Sequence, residues 1–133
     1  MTTLFIILAS LLIAVTAAAK LPALTYRYVV KFNSECCGVP NAAPILKCIA
    51  TFKMKHKIKS VYYYFISPMG REGEYFMAFN LKELTKKQSV LFIKETDITT
   101  LKMKEKGNCT TEQNFVIDKE SLSPRTTILK KAI

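Results

Sequence analysis

A chain of 133 residues with 20 Lys plus Arg against 10 Asp plus Glu, half of them apolar and only 4 Gly and 5 Pro, is neither collagen-like, low-complexity nor wholly disordered. Those classes need far more Gly and Pro or far fewer apolar side chains. This length holds one small domain. The net charge of +10 points toward anionic partners, and the four cysteines toward the redox environment.

The N-terminus is an address before it is a fold. Leu4 to Val15 is apolar except for Ser10, and Ala17, Ala18 and Ala19 precede Lys20. A bilayer span needs about 20 residues, whereas a short apolar core ending in an A-x-A site marks a secretory signal peptide. Residues 1–19 are therefore expected to be removed, leaving 20–133 as a single exported domain, periplasmic or extracellular. The n-region has neither Lys nor Arg, and an uncleaved anchor or a buried N-terminal helix are the alternatives.

Beyond this point Tyr26 to Phe32 alternates as a strand, with Tyr26, Tyr28, Val30 and Phe32 on one face. Ser34 to Pro40 reads as a loop, and Asn41 as the N-cap of a helix whose first turn accommodates Pro44. Ala42, Ile45, Ile49, Phe52 and His56 form its apolar stripe, with Cys48 at the edge. Ile58 to Ile66 is dense in β-branched and aromatic residues, as in a central strand. Ser67 to Gly73 supplies the turn into a strand over Glu74 to Phe79. Asn80 with Glu83 and Thr85 with Gln88 both match the capping box of a second helix. That helix carries Leu84, Leu91 and Phe92 inward, although Ser89 to Thr96 also fits a strand. Asn114 to Asp118 is the last expected strand, and a short basic tail begins at about Ser121.

This order predicts an α+β ferredoxin-like βαββαβ sandwich, a four-stranded antiparallel sheet with two helices on one face. In that topology Cys36, Cys37, the Gly70 to Gly73 turn and Cys109 share one rim. Tyr62, Tyr63, Tyr64, Tyr75 and Phe76 supply aromatics for the sheet's other face. An open face of that kind serves RNA in one binding class, but export argues against nucleic acid, and cover by a second copy or a protein partner is the expectation.

Export and an even cysteine count suggest disulfides among Cys36, Cys37, Cys48 and Cys109. Adjacent Cys36 and Cys37 would strain a mutual bond, and the shared rim favours one of them joining Cys109. The lone His56 is remote in sequence from the cysteine pair, so no metal site is expected, nor any cofactor. Asn108-Cys109-Thr110 matches the N-glycosylation pattern, which matters only in a eukaryotic secretory pathway. Val29 to Phe32, then Cys37-Gly38-Val39-Pro40, then Ala43 to Leu46 resembles the opening of the thioredoxin family, in which a strand runs into a C-G-P-C motif at a helix N-terminus. The resemblance implies a redox thiol at Cys37, with Pro40 in place of the second cysteine.

Charge is uneven, with Glu35 the sole acid between Lys20 and Arg71. Lys53, Lys55, His56, Lys57 and Lys59 gather at the exit of the first helix. They read either as a solvated, dipole-matched helix end or as an anion-binding patch for a polyanion or an anionic membrane surface. In the rim turn, Arg71 either pairs locally with Glu72 or Glu74 or reaches an outside anion. The expectation is a non-catalytic binding or interaction module. The alternatives are a thioredoxin-like thiol protein, and a secreted inhibitor or effector that presents the rim loops around Arg71 and Glu72.

Overall fold

A computed structural model describes residues 23–35, 38–103 and 108–133. Strand β1 (Leu24–Asn33) leads into helix α1 (Ala43–His56), strands β2 (Tyr62–Ser67) and β3 (Tyr75–Phe79), helix α2 (Lys86–Met103) and strand β4 (Asn108–Ile117). A 3-10 turn (Lys119–Ser121) precedes a last strand, β5 (Thr127–Ala132). The expected signal peptide lies outside the described residues, among which no helix is long and apolar enough to cross a membrane.

The α+β class stands, but the four-stranded sheet is corrected. The sheet has five strands in the order β4-β1-β3-β2-β5, every neighbouring pair antiparallel. The extra strand comes from the stretch read as a basic tail. Thr127, Ile128 and Leu129 favour extended backbone, and the open edge of β2 offers it a hydrogen-bonding partner from Ser67 opposite Thr127 to Tyr62 opposite Ala132.

Local chemistry explains the helix ends. Asn41 Oδ1 accepts the Ala43 amide at 2.8 Å, with Pro44 in the first turn where a missing N–H costs nothing. At the other end Lys57 takes a left-handed φ of 53°, and the Ile58 amide reaches back to the Lys53 carbonyl at 3.0 Å, a Schellman closure. The Thr85 and Gln88 side chains each accept the other's amide, at 3.1 and 3.0 Å, which completes the second capping box. The first box does not form, because Glu83 instead accepts the Tyr62 amide at 2.8 Å. Ser89 to Thr96 is helical, within α2.

The core lies between the helices and the sheet. Tyr28, Val30 and Phe32 of β1 and Met77 and Phe79 of β3 meet Ile45, Ile49 and Phe52 of α1 and Phe92 and Ile93 of α2. Phe92 sits edge-on to both Phe52 and Tyr28, at centroid distances of 5.4 and 6.2 Å. A second cluster occupies the opposite face, with Val29, Ile66 and Ala78 buried among Tyr64, Phe76 and Phe115. Tyr26 belongs to this face and not, as its alternation suggests, to that of Tyr28. Pairing of β1 with β4 lapses at Arg27 and Asn114, where Asn114 adopts a φ of 53° and the two strands exchange faces.

Because β4 and β5 are opposite edges, residues 118–126 must cross the sheet. They start level with Leu24 and finish level with Ser67, at the other end of the strands. Four gaps of about 4.8 Å make the sheet roughly 19 Å wide, so the crossing runs diagonally. Leu122 packs against the second cluster on the way, and the Thr126 hydroxyl donates to the Pro68 carbonyl at 2.6 Å. The face without helices is therefore strapped.

Candidate functional site

The lysine cluster at the exit of α1 divides into committed and available members. Lys53 donates to the Ile133 carbonyl, and Lys55 pairs with Glu95 at 3.0 Å. His56 lies over the Phe52 ring, centroids 4.3 Å apart, with its Nε2 buried and without a hydrogen-bond partner among the described residues. That imidazole is a packing residue. Lys57 and Lys59 remain exposed and line a cleft of about 400 Å³ with Ser60, Tyr62, Glu83 and Gln88.

Strand β5 adds two lysines from the stretch expected as a tail. Lys130 Nζ stands 4.8 Å from the Tyr62 ring centre on one side of the sheet, and Lys131 Nζ 4.6 Å from that of Phe65 on the other. Tyr62, 41% exposed, lines the cleft of Lys57 and Lys59 and carries Lys130 over its ring. Glu83 is the acid of this cleft, and one of its oxygens is already held by the Tyr62 amide. The run Thr127-Ile128-Leu129 was the available signal for a strand here.

At the other end of the sheet, Cys109 pairs with Phe32, and Phe32 in turn with Tyr75, so Cys109 and the β2–β3 turn do share a rim. Cys36 and Cys37 lie outside the described residues. Among the described residues Cys48 and Cys109 form no disulfide, and the expected link from Cys109 to Cys36 or Cys37 has its far end outside them. Burial pushes the Cys109 thiol up to about 11, against a smaller opposing hydrogen bond with Thr100. Such a thiol is largely protonated near neutral pH and a poor nucleophile. Gly38 to Ala42 separate Cys37 from the first residue of α1, whereas the helix dipole acts mainly within the first turn.

Arg71 is not paired within its own turn. The Ser34 hydroxyl donates to the Glu72 carboxylate, and Glu74 Oε2 accepts the Glu72 amide at 3.0 Å. Gly70 permits this, since a Cβ there would collide with the Glu74 carboxylate as it stands. Both local acids are thereby engaged, and Arg71 forms no ion pair among the described residues.

Of the aromatics expected on the face away from the helices, Tyr62, Tyr64 and Phe76 are there, while Tyr63 and Tyr75 pack on the helix side. Lys31 lies over Phe115 at 4.6 Å and pairs with Glu112 at 2.6 Å on this face. Elsewhere Asp97 Oδ1 accepts both the Tyr28 hydroxyl at 2.7 Å and the Thr111 hydroxyl at 2.8 Å, tying α2 to β1 and β4. Among the described residues no group of three His, Cys, Asp or Glu side chains is placed to hold a metal ion.

Compared with protein-family models, characterised proteins and solved structures, the chain matches none.

Proposed function

We propose that this chain is an exported, non-catalytic binding module that holds an extended polyanion, an acidic polysaccharide chain, on the lysines of the α1 exit and of both sides of edge strand β5. The observation that carries the reading is the position of β5, which sets Lys130 against the Tyr62 ring beside the cleft of Lys57 and Lys59. Lysines spread over a helix exit and an edge strand suit a long, repeating anion better than a compact one, because no single small group can reach them all. The aromatic ring between them gives a sugar face a flat apolar seat.

The test is elution from immobilised heparin. Replacing Lys57, Lys59, Lys130 and Lys131 together by Gln moves elution to distinctly lower salt, since screening weakens each exposed charge contact. Lys55→Gln, which removes a lysine already paired with Glu95, has a much smaller effect. Equal elution of the wild type and the four-lysine variant discards the reading. Retention on anionic vesicles but not on heparin replaces the polysaccharide by a membrane surface, where each lysine contributes about 1 kcal/mol.

A further inference from the structure

The strap delivers a second arginine to the rim. Arg71, from the β2–β3 turn, and Arg125, from the end of the strap, line one cleft of about 710 Å³ together with Ser123, Pro68 and Met69. Among the described residues none that lines it is acidic, and the Glu74 carboxylate lies against Gly70 at its margin. Neither guanidinium forms an ion pair among the described residues, and the acids nearest Arg71 in sequence are held by Ser34 and the Glu72 amide. Both arginines are exposed and line one concave surface, so an anion entering it can be met by two cations.

We infer that Arg71 and Arg125 form a forked clamp for a phosphate monoester group in this cleft. Each guanidinium presents parallel N–H donors that match two oxygens of a phosphate, and two of them match its double negative charge. A carboxylate, with one charge and two oxygens, is satisfied by a single fork. The Ser123 hydroxyl adds a further donor. The cleft exceeds what a bare phosphate fills, and Pro68 and Met69 offer apolar surface to the organic part of the ester. This site lies at the opposite end of the sheet from the lysine surface and uses none of its residues.

The test titrates the full chain with phenyl phosphate by calorimetry, with benzoate as the planar control. Phenyl phosphate binds saturably to the wild type, and benzoate binds at least about tenfold more weakly, as expected when a charged hydrogen-bonding fork is left unused. Arg71→Gln and Arg125→Gln each weaken phenyl phosphate by about tenfold or more. The Arg71→Lys, Arg125→Lys double variant keeps both charges, and its weakened binding identifies the fork and not net charge as the determinant. Near-ultraviolet circular dichroism verifies that each variant is folded. Phosphatidylcholine vesicles with and without phosphatidic acid then separate the sources. Retention that depends on Arg71 and Arg125 identifies a lipid headgroup, and phenyl phosphate binding without vesicle retention identifies a soluble ester. The inference is overturned if phenyl phosphate fails to bind saturably, if benzoate binds as tightly, if Arg71→Gln, Arg125→Gln or the double Lys variant binds phenyl phosphate as tightly as the wild type, or if the four-lysine variant loses it.

Discussion

Cys109 carries the clearest consequence of burial for a single side chain. Its folded-state thiol is raised from 9.0 to about 11, chiefly by desolvation. A raised value means that the folded chain holds the proton longer than the unfolded chain does. The corresponding stability is complete below pH 9.0 and is lost as pH climbs toward about 11. Unfolding midpoints measured across this window should fall more steeply for the wild type than for Cys109→Ala. Burial also raises Tyr75 from 10.0 to about 12 and pushes Tyr28, Tyr26 and Tyr63 upward, so above pH 10 a further loss of stability is added in both proteins, and the contrast between them is read between pH 9.0 and 10. A slope unchanged by Cys109→Ala contradicts the assignment. The residue identities made Cys109 and Arg71 worth attention, yet their behaviour was not readable from sequence. For Arg71 it depends on Ser34, a loop residue drawn to Glu72 by the fold. For Cys109 it depends on α2 packing over the end of β4, where Thr100 is the thiol's hydrogen-bond partner.

Among the elements, those with strong local signals were legible. The stripe of Ile45, Ile49 and Phe52 is the buried side of α1, and Thr85 with Gln88 opens α2. Thr85→Ala removes one cap bond and should cost about 1 kcal/mol, read as a lower denaturation midpoint with an unchanged slope. Gln88→Ala should cost less, because the Thr85 hydroxyl still accepts the amide. An effect of Thr85→Ala within error would mean that water replaces the cap. Strand β5 was illegible for a physical reason. It is an edge strand, exposed at five of its six positions, and carries two lysines, which is how edges are protected from pairing with other chains. The same traits imitate a solvated tail. Strand β4 runs further toward the N-terminus than the expected Asn114 to Asp118, a length the sequence hides because its alternation reverses around Asn114, and period-two reasoning assumes that a strand keeps its faces.

Across the whole molecule, the strap distributes charge as well as covering the sheet. It begins at one corner and ends at the opposite one, so that Arg125 reaches the rim while Lys130 and Lys131 return along β5 toward the exit of α1. Leu122 is the apolar anchor of the crossing. Leu122→Ala should destabilise the protein by about 1 kcal/mol, because a half-buried leucine loses only part of its transfer free energy. It should also speed hydrogen exchange at β5 amides more than at β1 amides, and equal acceleration at both would show that the strap and β5 do not open as a unit. Strands that are neighbours in space here come from distant parts of the chain, Leu24 beside Ile117 and Tyr62 beside Ala132. Loop-closure entropy must be met before such contacts form, which slows folding relative to helical bundles of similar size. The crossing has no surface to lie on until β1, β3 and β2 stand side by side, and β5 has no partner until β2 is in place. The expectation is a sheet built from its centre outward, with the cleft of Arg71 and Arg125 completed only when the strap has crossed.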